Sequence, residues 1–137
     1  MRSDKTILVM DAGCALCSWG ARLIARNDPG DRFRILPAQT ERGRKLLAAN
    51  GLDPEDPNSW LTLEPDGSVL KASAAAVSVG RRLSGGWGWA AFAAGLLPPF
   101  LREPAYRLIA RHRYRLFGRG DLCAAPSEEL RKRLLER

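Results

Sequence analysis

Residues 5–20, KTILVMDAGCALCSWG, contain the most informative pattern in the chain. Residues 6–10 form a nearly unbroken apolar run, which is typical of a central strand covered on both faces. The strand ends at Asp11, and Gly13 allows a tight turn. The apolar positions that follow predict a helix over residues 15–27, which Asp-Pro-Gly then ends. The sequence therefore predicts a buried strand, a turn and a helix.

Two cysteines, Cys14 and Cys17, lie on the turn at the predicted helix start. The first helical amides are unpaired and the helix dipole is positive at that end, so a thiolate is favoured over a thiol. We expect Cys14 to be the nucleophile. Cys17 lies one turn further along, where its sulfur can attack a mixed disulfide on Cys14 and release the reduced partner.

Other interpretations of these cysteines stay open. A zinc site needs about four ligands, and the chain offers Cys14, Cys17, His112 and Cys123, although the last two lack the usual close spacing. A structural disulfide between Cys14 and Cys17 would close too short a loop to stabilise the fold much. The two cysteines could also be buried and inert, but a glycine turn directly after a buried strand argues against this.

Asp11 has two candidate roles beside the cysteines. An ionised carboxylate three residues before Cys14 would oppose thiolate formation if it were adjacent, because like charges repel. It can instead accept hydrogen bonds from the turn amides. It can also accept and return the proton of Cys17 as the mixed disulfide resolves.

These residues resemble the DCC family of predicted thiol-disulfide oxidoreductases, which is named for one Asp and two Cys. DAGCALC, residues 11–17, is similar to the family signature Asp-Gly-X-Cys-X-X-Cys, with the glycine one place later. Ser73 and Ala75 match the family's Ser-X-Ala segment. Residues 97–98 and 106–118 resemble its C-terminal block, with His112 where the family commonly has Asn. The resemblance spans most of the chain and implies thiol-disulfide exchange.

Length and composition are typical of one globular domain. The chain has 137 residues, of which 45% are hydrophobic. Residues 1–5 are polar and charged, and the apolar run behind them is too short for a signal peptide or a membrane span. We therefore predict a cytoplasmic protein. Three cysteines do not make a disulfide framework, and a Cys-X-X-Cys in a reducing compartment favours redox chemistry.

The order of predicted elements is typical of a thioredoxin-like α/β domain. A strand at residues 32–36 and a helix at 41–50 follow the first pair, which implies parallel strands. Residues 60–63 and 68–71 flank Glu-Pro-Asp-Gly and predict a hairpin. Ser73 can cap a helix through Leu83 whose apolar face carries Ala76, Val77 and Gly80. We predict a central sheet of about four strands over residues 1–84, with a helical extension over 85–137 packed on it.

Two more residues are candidate accessories to the cysteine pair. Thioredoxin-like domains usually place a cis-proline beside the dithiol, and Pro57 is the candidate at about the right place. Cys123 follows Asp121 and Leu122 in a predicted loop before a last helix, which Ser127 can cap. It can return to the pair as a third redox thiol, or it can be a small buried side chain.

The C-terminal half is basic and contains a long uncharged stretch. Residues 1–70 carry 9 Lys and Arg against 10 Asp and Glu, whereas residues 71–137 carry 13 against 5. Residues 84–101 have no charged side chain. Glycines and prolines interrupt this stretch, so we interpret it mainly as a short helix packed on the sheet. The alternative is an interfacial membrane contact through Trp87, Trp89 and Phe92.

Arginines recur at four-residue spacing along a helix predicted over residues 103–117, at Arg107, Arg111 and Arg115. Like charges stacked in this way destabilise a helix unless an anion lies nearby. We expect carboxylates of this chain, an acidic protein or lipid headgroups to meet them, unless they form only a solvated surface. The chain lacks a recognisable nucleic-acid-binding signature.

Together these observations predict a thiol-disulfide oxidoreductase that uses Cys14 and Cys17, with no bound cofactor and no metal. Its expected partners are disulfide-containing proteins or low-molecular-weight thiols. The competing hypothesis is a binding module whose basic C-terminal helices dock an acidic partner or a membrane surface. In that case the cysteines would sense oxidation or bind zinc.

Overall fold

The computed structural model describes residues 5–55, 60–118 and 128–135. The predicted candidates Pro57, Cys123 and Ser127 lie outside these residues. The strands are β1 Thr6–Met10, β2 Phe33–Pro37, β3 Leu61–Leu63 and β4 Val69–Lys71. The helices are α1 Ala15–Arg26, α2 Glu41–Ala49, α3 Ala72–Arg81, α4 Trp87–Gly95, α5 Pro99–Arg111, α6 Arg113–Phe117 and α7 Glu128–Arg133.

The four strands form one mixed sheet in the order β2-β1-β3-β4. β1 and β2 are parallel, with Leu8 opposite Ile35, and α1 connects them. β3 is antiparallel to both β1 and β4, so the predicted hairpin is present. The predicted thioredoxin-like α/β fold, with flanking helices and helices at its C-terminal end, is therefore confirmed. The division of the chain at residue 84 stays a prediction.

The central strand β1 is buried along its whole length, as its apolar run predicts. Leu8 and Met10 pack on one face of the sheet, in a cluster that includes both cysteines and Phe33. Ile7 and Val9 pack on the other face with residues of β2, α2 and β3. Because both faces are covered, alternation of polar and apolar residues is absent from this strand.

The start of α3 differs from the sequence-based expectation. Lys71, and not Ser73, is the residue that precedes the helix. Ser73 is buried, and both its amide and its hydroxyl donate to the carboxylate of Glu103 in α5. Its hydroxyl also accepts a hydrogen bond of 2.9 Å from Arg102 Nε. The buried residues of α3 are Ser73, Ala75 and Val79, and not the predicted face of Ala76, Val77 and Gly80, because α5 packs against this helix.

The uncharged stretch over residues 84–101 contains a short helix, as predicted, but this helix packs on α3 and is exposed, so its interpretation as core packed on the sheet is wrong. Its helix α4 has no buried residue. It packs on α3 through small side chains, and a Cβ atom added at Gly80 would lie 2.7 Å from the Cβ of Ala91. The large side chains face outward instead, and Trp89 and Phe100 are 78% and 74% exposed. Within the described parts of the chain, each helix is too short or too polar to cross a membrane.

The helix predicted over residues 103–117 is two helices. α5 ends at Arg111, and α6 begins at Arg113, with His112 between them. The break turns Arg113 into the interior, where its side chain is 6% exposed. Arg107, Arg111 and Arg115 are exposed.

The last described helix, α7, is attached to the end of α1 by a buried ion pair. Arg133 Nε lies 3.2 Å from Asp28 Oδ2, and Arg133 Nη2 donates to the carbonyl of Asp28. The Asp28 carboxylate also accepts from the amides of Arg32 and Phe33, which lead into β2. The chain then pairs with β2, because the amide of Leu135 donates to the carbonyl of Ile35. Leu130 of α7 is fully buried in the hydrophobic core.

Glycine at position 43 allows α2 to lie against the end of β2. A Cβ atom added there would lie 2.4 Å from the carbonyl oxygen of Pro37 and 3.0 Å from Ala38 Cα. Because backbone cannot yield as a side chain can, we expect Gly43→Ala to lower the free energy of unfolding by about 1–3 kcal/mol. Urea unfolding followed by circular dichroism measures this. The control is Gly86→Ala, because a Cβ atom added at Gly86 would meet no other part of the chain within 4 Å. Equal stability of the two variants would contradict the close packing at Gly43.

Candidate thiol-disulfide exchange site

The turn that carries the cysteines is fixed at the carboxyl ends of two parallel strands. Because β1 and β2 run side by side, the residues that follow them meet at one edge of the sheet. Gln39 Nε2 donates to Asp11 Oδ1 over 2.7 Å, and Gln39 Oε1 accepts from the amide of Ala12 over 3.0 Å. Asp11 Oδ1 also accepts from the amide of Gly13 over 2.9 Å. The Asp11 carboxylate and the Gln39 amide together hold the turn.

The second oxygen of Asp11 binds α6, which is about a hundred residues away in the chain. Arg113 Nη2 lies 3.1 Å from Asp11 Oδ2, and the hydroxyl of Tyr114 donates to the same oxygen. The Arg113 guanidinium lies over the Tyr114 ring, 4.5 Å from its centre. The side chain of Asp11 is 1% exposed. A buried carboxylate therefore joins the turn to the C-terminal part of the chain.

Asp11 is ionised in this setting. Burial alone would raise the pKa of Asp11, but hydrogen bonds from Tyr114, the Gly13 amide, Gln39 and Arg113 outweigh it and lower the pKa below the ordinary value of 3.8. Burial and the bond to Asp11 raise the pKa of Tyr114 to about 12, so the Tyr114 hydroxyl keeps its proton and donates it. At neutral pH the cluster is a carboxylate, a guanidinium and a neutral phenol.

The two cysteines lie together at the start of α1, directly after the turn that Asp11 holds. Cys14 is the residue that precedes the helix, and its carbonyl accepts from both the amide and the hydroxyl of Ser18. Both thiols are free and buried, with Cys14 0% and Cys17 5% exposed. The amide of Ala15 donates to the carbonyl of Gly118 over 3.3 Å, so the end of α6 lies directly against the start of α1.

The two thiols have different environments. Burial raises the pKa of Cys17 well above its ordinary value, and the neighbouring Cys14 adds to the rise. A hydrogen bond with the side chain of Trp60 opposes it. Interaction with the side chain of Cys14 therefore works in the same direction as burial, and both favour the protonated form of Cys17.

Sequence reasoning missed three residues of this cluster, Gln39, Arg113 and Tyr114. Gln39 carried no signal, because a single glutamine after a strand is ordinary loop sequence. Arg113 and Tyr114 lie within the C-terminal block, residues 106–118, that resembles the DCC family. The four-residue spacing drew attention to other arginines, and only the break at His112 turns Arg113 inward.

The other predicted site residues are not brought to the cysteines. Arg107, Arg111 and Arg115 lie on exposed faces of α5 and α6. In residues 5–55, 60–118 and 128–135, no cluster of three His, Cys, Asp or Glu side chains could hold a metal ion. Any contribution of Cys123 or Pro57 concerns residues outside these ranges, and both roles stay predictions.

Comparison with known proteins identifies the family of this chain. The pattern of the DCC1-like thiol-disulfide oxidoreductase family matches residues 8–119. This chain belongs to that family. The match includes residues 8–10 of β1, both cysteines, the Ser73 segment and the whole of α6. The family resemblance inferred from the sequence is therefore confirmed.

Two relatives cover most of this DCC-family chain. The uncharacterized protein YuxK of Bacillus subtilis is 35% identical over 130 residues, which is 94% of this chain and 93% of YuxK. A chloroplastic DCC family protein of Arabidopsis thaliana is 32% identical over 119 residues, which is 87% of this chain and 69% of that protein. No solved structure matches the chain.

Because of the Asp11–Arg113 pair, we expect the free energy of unfolding to fall at acidic pH. The pKa of Asp11 is lower in the folded protein than in the unfolded chain, so its contribution is complete above about 3.8 and is lost as the pH falls further. We expect Asp11→Asn to lower the free energy of unfolding at neutral pH by about 3–5 kcal/mol, because Arg113 keeps a buried, uncompensated charge. Urea unfolding at neutral pH and between about pH 5 and pH 3 measures both effects.

The variant should also lose part of the wild-type decline in stability over that acid range, since position 11 no longer titrates. The control is Glu41→Gln, which removes an exposed ion pair with Lys45 and should leave both quantities nearly unchanged. Identical acid profiles for wild type and Asp11→Asn would contradict the assignment of Asp11 as the ionised partner.

The hydroxyl of Tyr114 helps to keep α6 over Cys14. We expect Tyr114→Phe to raise the rate at which iodoacetamide alkylates Cys14 by about tenfold, because a hydrogen bond to a charged group, worth about 1.5–3 kcal/mol, no longer opposes local opening. Mass spectrometry of the Cys14 peptide measures the rate. Tyr106→Phe is the matched control, since the hydroxyl of Tyr106 accepts from the amide of Trp60, which precedes β3. Equal alkylation rates of Cys14 in the two variants would show that the Tyr114 hydroxyl does not hold α6 over Cys14.

Proposed function

We propose that the protein exchanges its Cys14–Cys17 dithiol with disulfides of other molecules. The observation that carries the proposal is the pair of free thiols that lie close together at the start of α1, in a chain of this family. The positive end of the α1 dipole faces Cys14, which favours its thiolate. Cys17 is held in the protonated form until it is needed, and this separates the two roles.

The exchange proceeds in two balanced steps. The Cys14 thiolate attacks one sulfur of the substrate disulfide; a bond forms between these sulfurs, and the other substrate sulfur leaves as a thiolate that takes a proton. Cys17 then loses its proton and attacks Cys14 Sγ, which releases the first substrate sulfur. The substrate gains two electrons and two protons, and the chain is left with a Cys14–Cys17 disulfide that an external thiol reduces.

In this proposal Asp11 orients the turn and does not carry protons. Four donors already occupy its two oxygens, and the pKa of Asp11 is lowered, so it is a weak base for the thiol of Cys17. A proton from Cys17 would have to displace the bond from Arg113 or Tyr114. We assign the proton of Cys17 to the leaving thiolate of the substrate or to water.

The direction of exchange depends on the compartment. In the cytoplasm, which we propose as the location, glutathione and thioredoxin systems keep dithiols reduced and favour disulfide reduction. The sulfurs carry the electrons themselves, so the exchange needs no bound cofactor. The proposed partners are disulfide-bearing proteins and, for regeneration, a low-molecular-weight thiol.

A second candidate function is a binding module. The exposure of Arg107, Arg111 and Arg115 on α5 and α6 favours it, because an acidic protein or membrane surface could dock there. In that case the cysteines would sense oxidation or hold zinc. Turnover and metal content separate the two functions.

The proposal predicts reduction of insulin disulfides by the protein with dithiothreitol as electron source. Cys14→Ser should abolish the acceleration, because no thiolate begins the exchange. Cys17→Ser should trap a mixed disulfide between Cys14 and the substrate, because no second sulfur resolves it. Precipitation of the released insulin chain measures turnover, and non-reducing electrophoresis detects the trapped complex.

A chelator is the control for the competing function and should leave turnover unchanged. If Cys14→Ser reduced insulin as fast as the wild type, the assignment of Cys14 as the nucleophile would be wrong. Bound zinc at one ion per chain, together with no insulin reduction by the wild type, would favour the binding module.

A further inference from the structure

A cavity lies beside the thiol pair, between α1, α3 and α5. Its volume is about 190 Å³. The wall residues that matter are Leu16, Cys17, Trp19, Trp60, Tyr106 and Ile109. Cys17 therefore borders a mainly apolar, partly open cavity that also reaches the half-exposed Trp19.

The cavity wall contains one permanently charged group, and that group is engaged elsewhere. Arg113 borders the cavity, but its guanidinium pairs with Asp11 at 3.1 Å and donates to the carbonyl of Ala110 at 2.8 Å. The side chain of Trp60 borders the cavity together with Cys17. What the cavity offers to a ligand is therefore aromatic and aliphatic surface next to sulfur.

The volume decides the size of the occupant. Pockets for cofactors and drug-sized ligands measure about 300–1,000 Å³, which is larger than this cavity. An apolar cavity of about 150 Å³ holds one benzene molecule. The space beside Cys17 thus fits one aromatic ring or one branched aliphatic side chain.

We propose that this cavity binds an aromatic or branched aliphatic side chain of a disulfide-bearing polypeptide, next to the cysteine that exchanges with Cys14. The inference rests on the proposed thiol-disulfide exchange and names the substrate class for it. A side chain seated against Cys17 brings the neighbouring substrate sulfur to the thiol pair. Its burial stabilises the encounter while the Cys14–substrate disulfide forms and the second substrate sulfur leaves with a proton.

Two more hollows favour a polypeptide over a small molecule. One is lined by Leu16, Trp19 and Phe117, and the other lies between Trp19 and Trp87, whose rings meet edge to face at 5.8 Å. Both hollows share Trp19 with the cavity. An extended chain crossing Trp19 can therefore place several apolar side chains around the exchanging cysteine, whereas a small disulfide can fill only one hollow.

The test compares two symmetrical peptide disulfides. Each is a dimer of a short amidated peptide with one cysteine, and they differ only in carrying Phe or Ser beside it. The readout is the second-order rate constant for reduction by the prereduced protein. We expect the Phe peptide to react about 10–100 times faster, which corresponds to burial of one large apolar side chain worth about 1.5–3 kcal/mol.

Filling the cavity should remove this preference. Ala110 lines the cavity, and Ala110→Leu adds volume to it, so the Phe-to-Ser ratio should fall toward one. The matched control is Ala93→Leu on the exposed face of α4, which should keep the wild-type ratio. Circular dichroism checks that both variants fold, and Ala76→Leu, on the α3 side of the cavity, replaces Ala110→Leu if that variant does not.

The outcomes separate this inference from the proposed function. Equal rates for the two peptides, with reduction still dependent on Cys14, would overturn the cavity assignment alone. Reduction that Cys14→Ser performs as fast as wild type would overturn the exchange mechanism itself. A water-soluble aromatic disulfide without a peptide backbone, reduced as fast as the Phe peptide, would overturn the polypeptide part of the assignment.

Discussion

The buried ion pair between Asp11 and Arg113 is the interaction on which the functional end of this fold depends. Placing two charges in a protein interior costs several kcal/mol each, and their attraction offsets this only when the remaining polar atoms are also satisfied. Here Tyr114, Gln39 and the Gly13 amide supply the additional bonds to the carboxylate. The stability of the fold therefore depends on the exact position of α6, because a displacement of α6 would leave both charges buried without a partner.

This sensitivity links two distant parts of the sequence. Asp11 follows the central strand and Arg113 begins α6, so the ion pair places the end of α6 against the start of α1. A rigid turn is needed because a thiolate gains from the helix dipole only within the first turn. Cys14 is fully buried beside this contact, so in the proposed exchange one cluster controls both the position of its sulfur and the access of solvent to it.

Local sequence was sufficient to predict the core of the fold. The apolar run of β1, the glycine turn and the period of α1 depend on neighbours in the chain, and so does the hairpin around Pro65-Asp66-Gly67. The positions of Cys14 and Cys17 at the helix start followed from that local pattern. The order of the elements then limited the topology to a parallel pair with an added hairpin.

Long-range contacts were not predictable in the same way. The choice of Arg113 over its arginine neighbours depends on the break at His112, and hydrophobic periodicity does not encode this break. The exposure of α4 depends on packing: Gly80 and Ala91 bring α3 and α4 so close that small side chains fill the interface, and the tryptophan and phenylalanine side chains must turn outward. High apolar content was therefore a poor guide to burial there.

The ion pair also bears on the proposed role of Cys14, whose thiol lies three residues after a buried carboxylate. An unpaired Asp11 would oppose a negative charge on Cys14, because like charges in a buried site repel strongly. Arg113 and Tyr114 bind the carboxylate oxygen that faces α6, so much of its charge is compensated at short range. Asp11 still contributes to the raised pKa of Cys17, although burial and Cys14 contribute more. The residual field thus favours a protonated Cys17 beside a sulfur at the helix start, which is the asymmetry that ordered dithiol exchange requires.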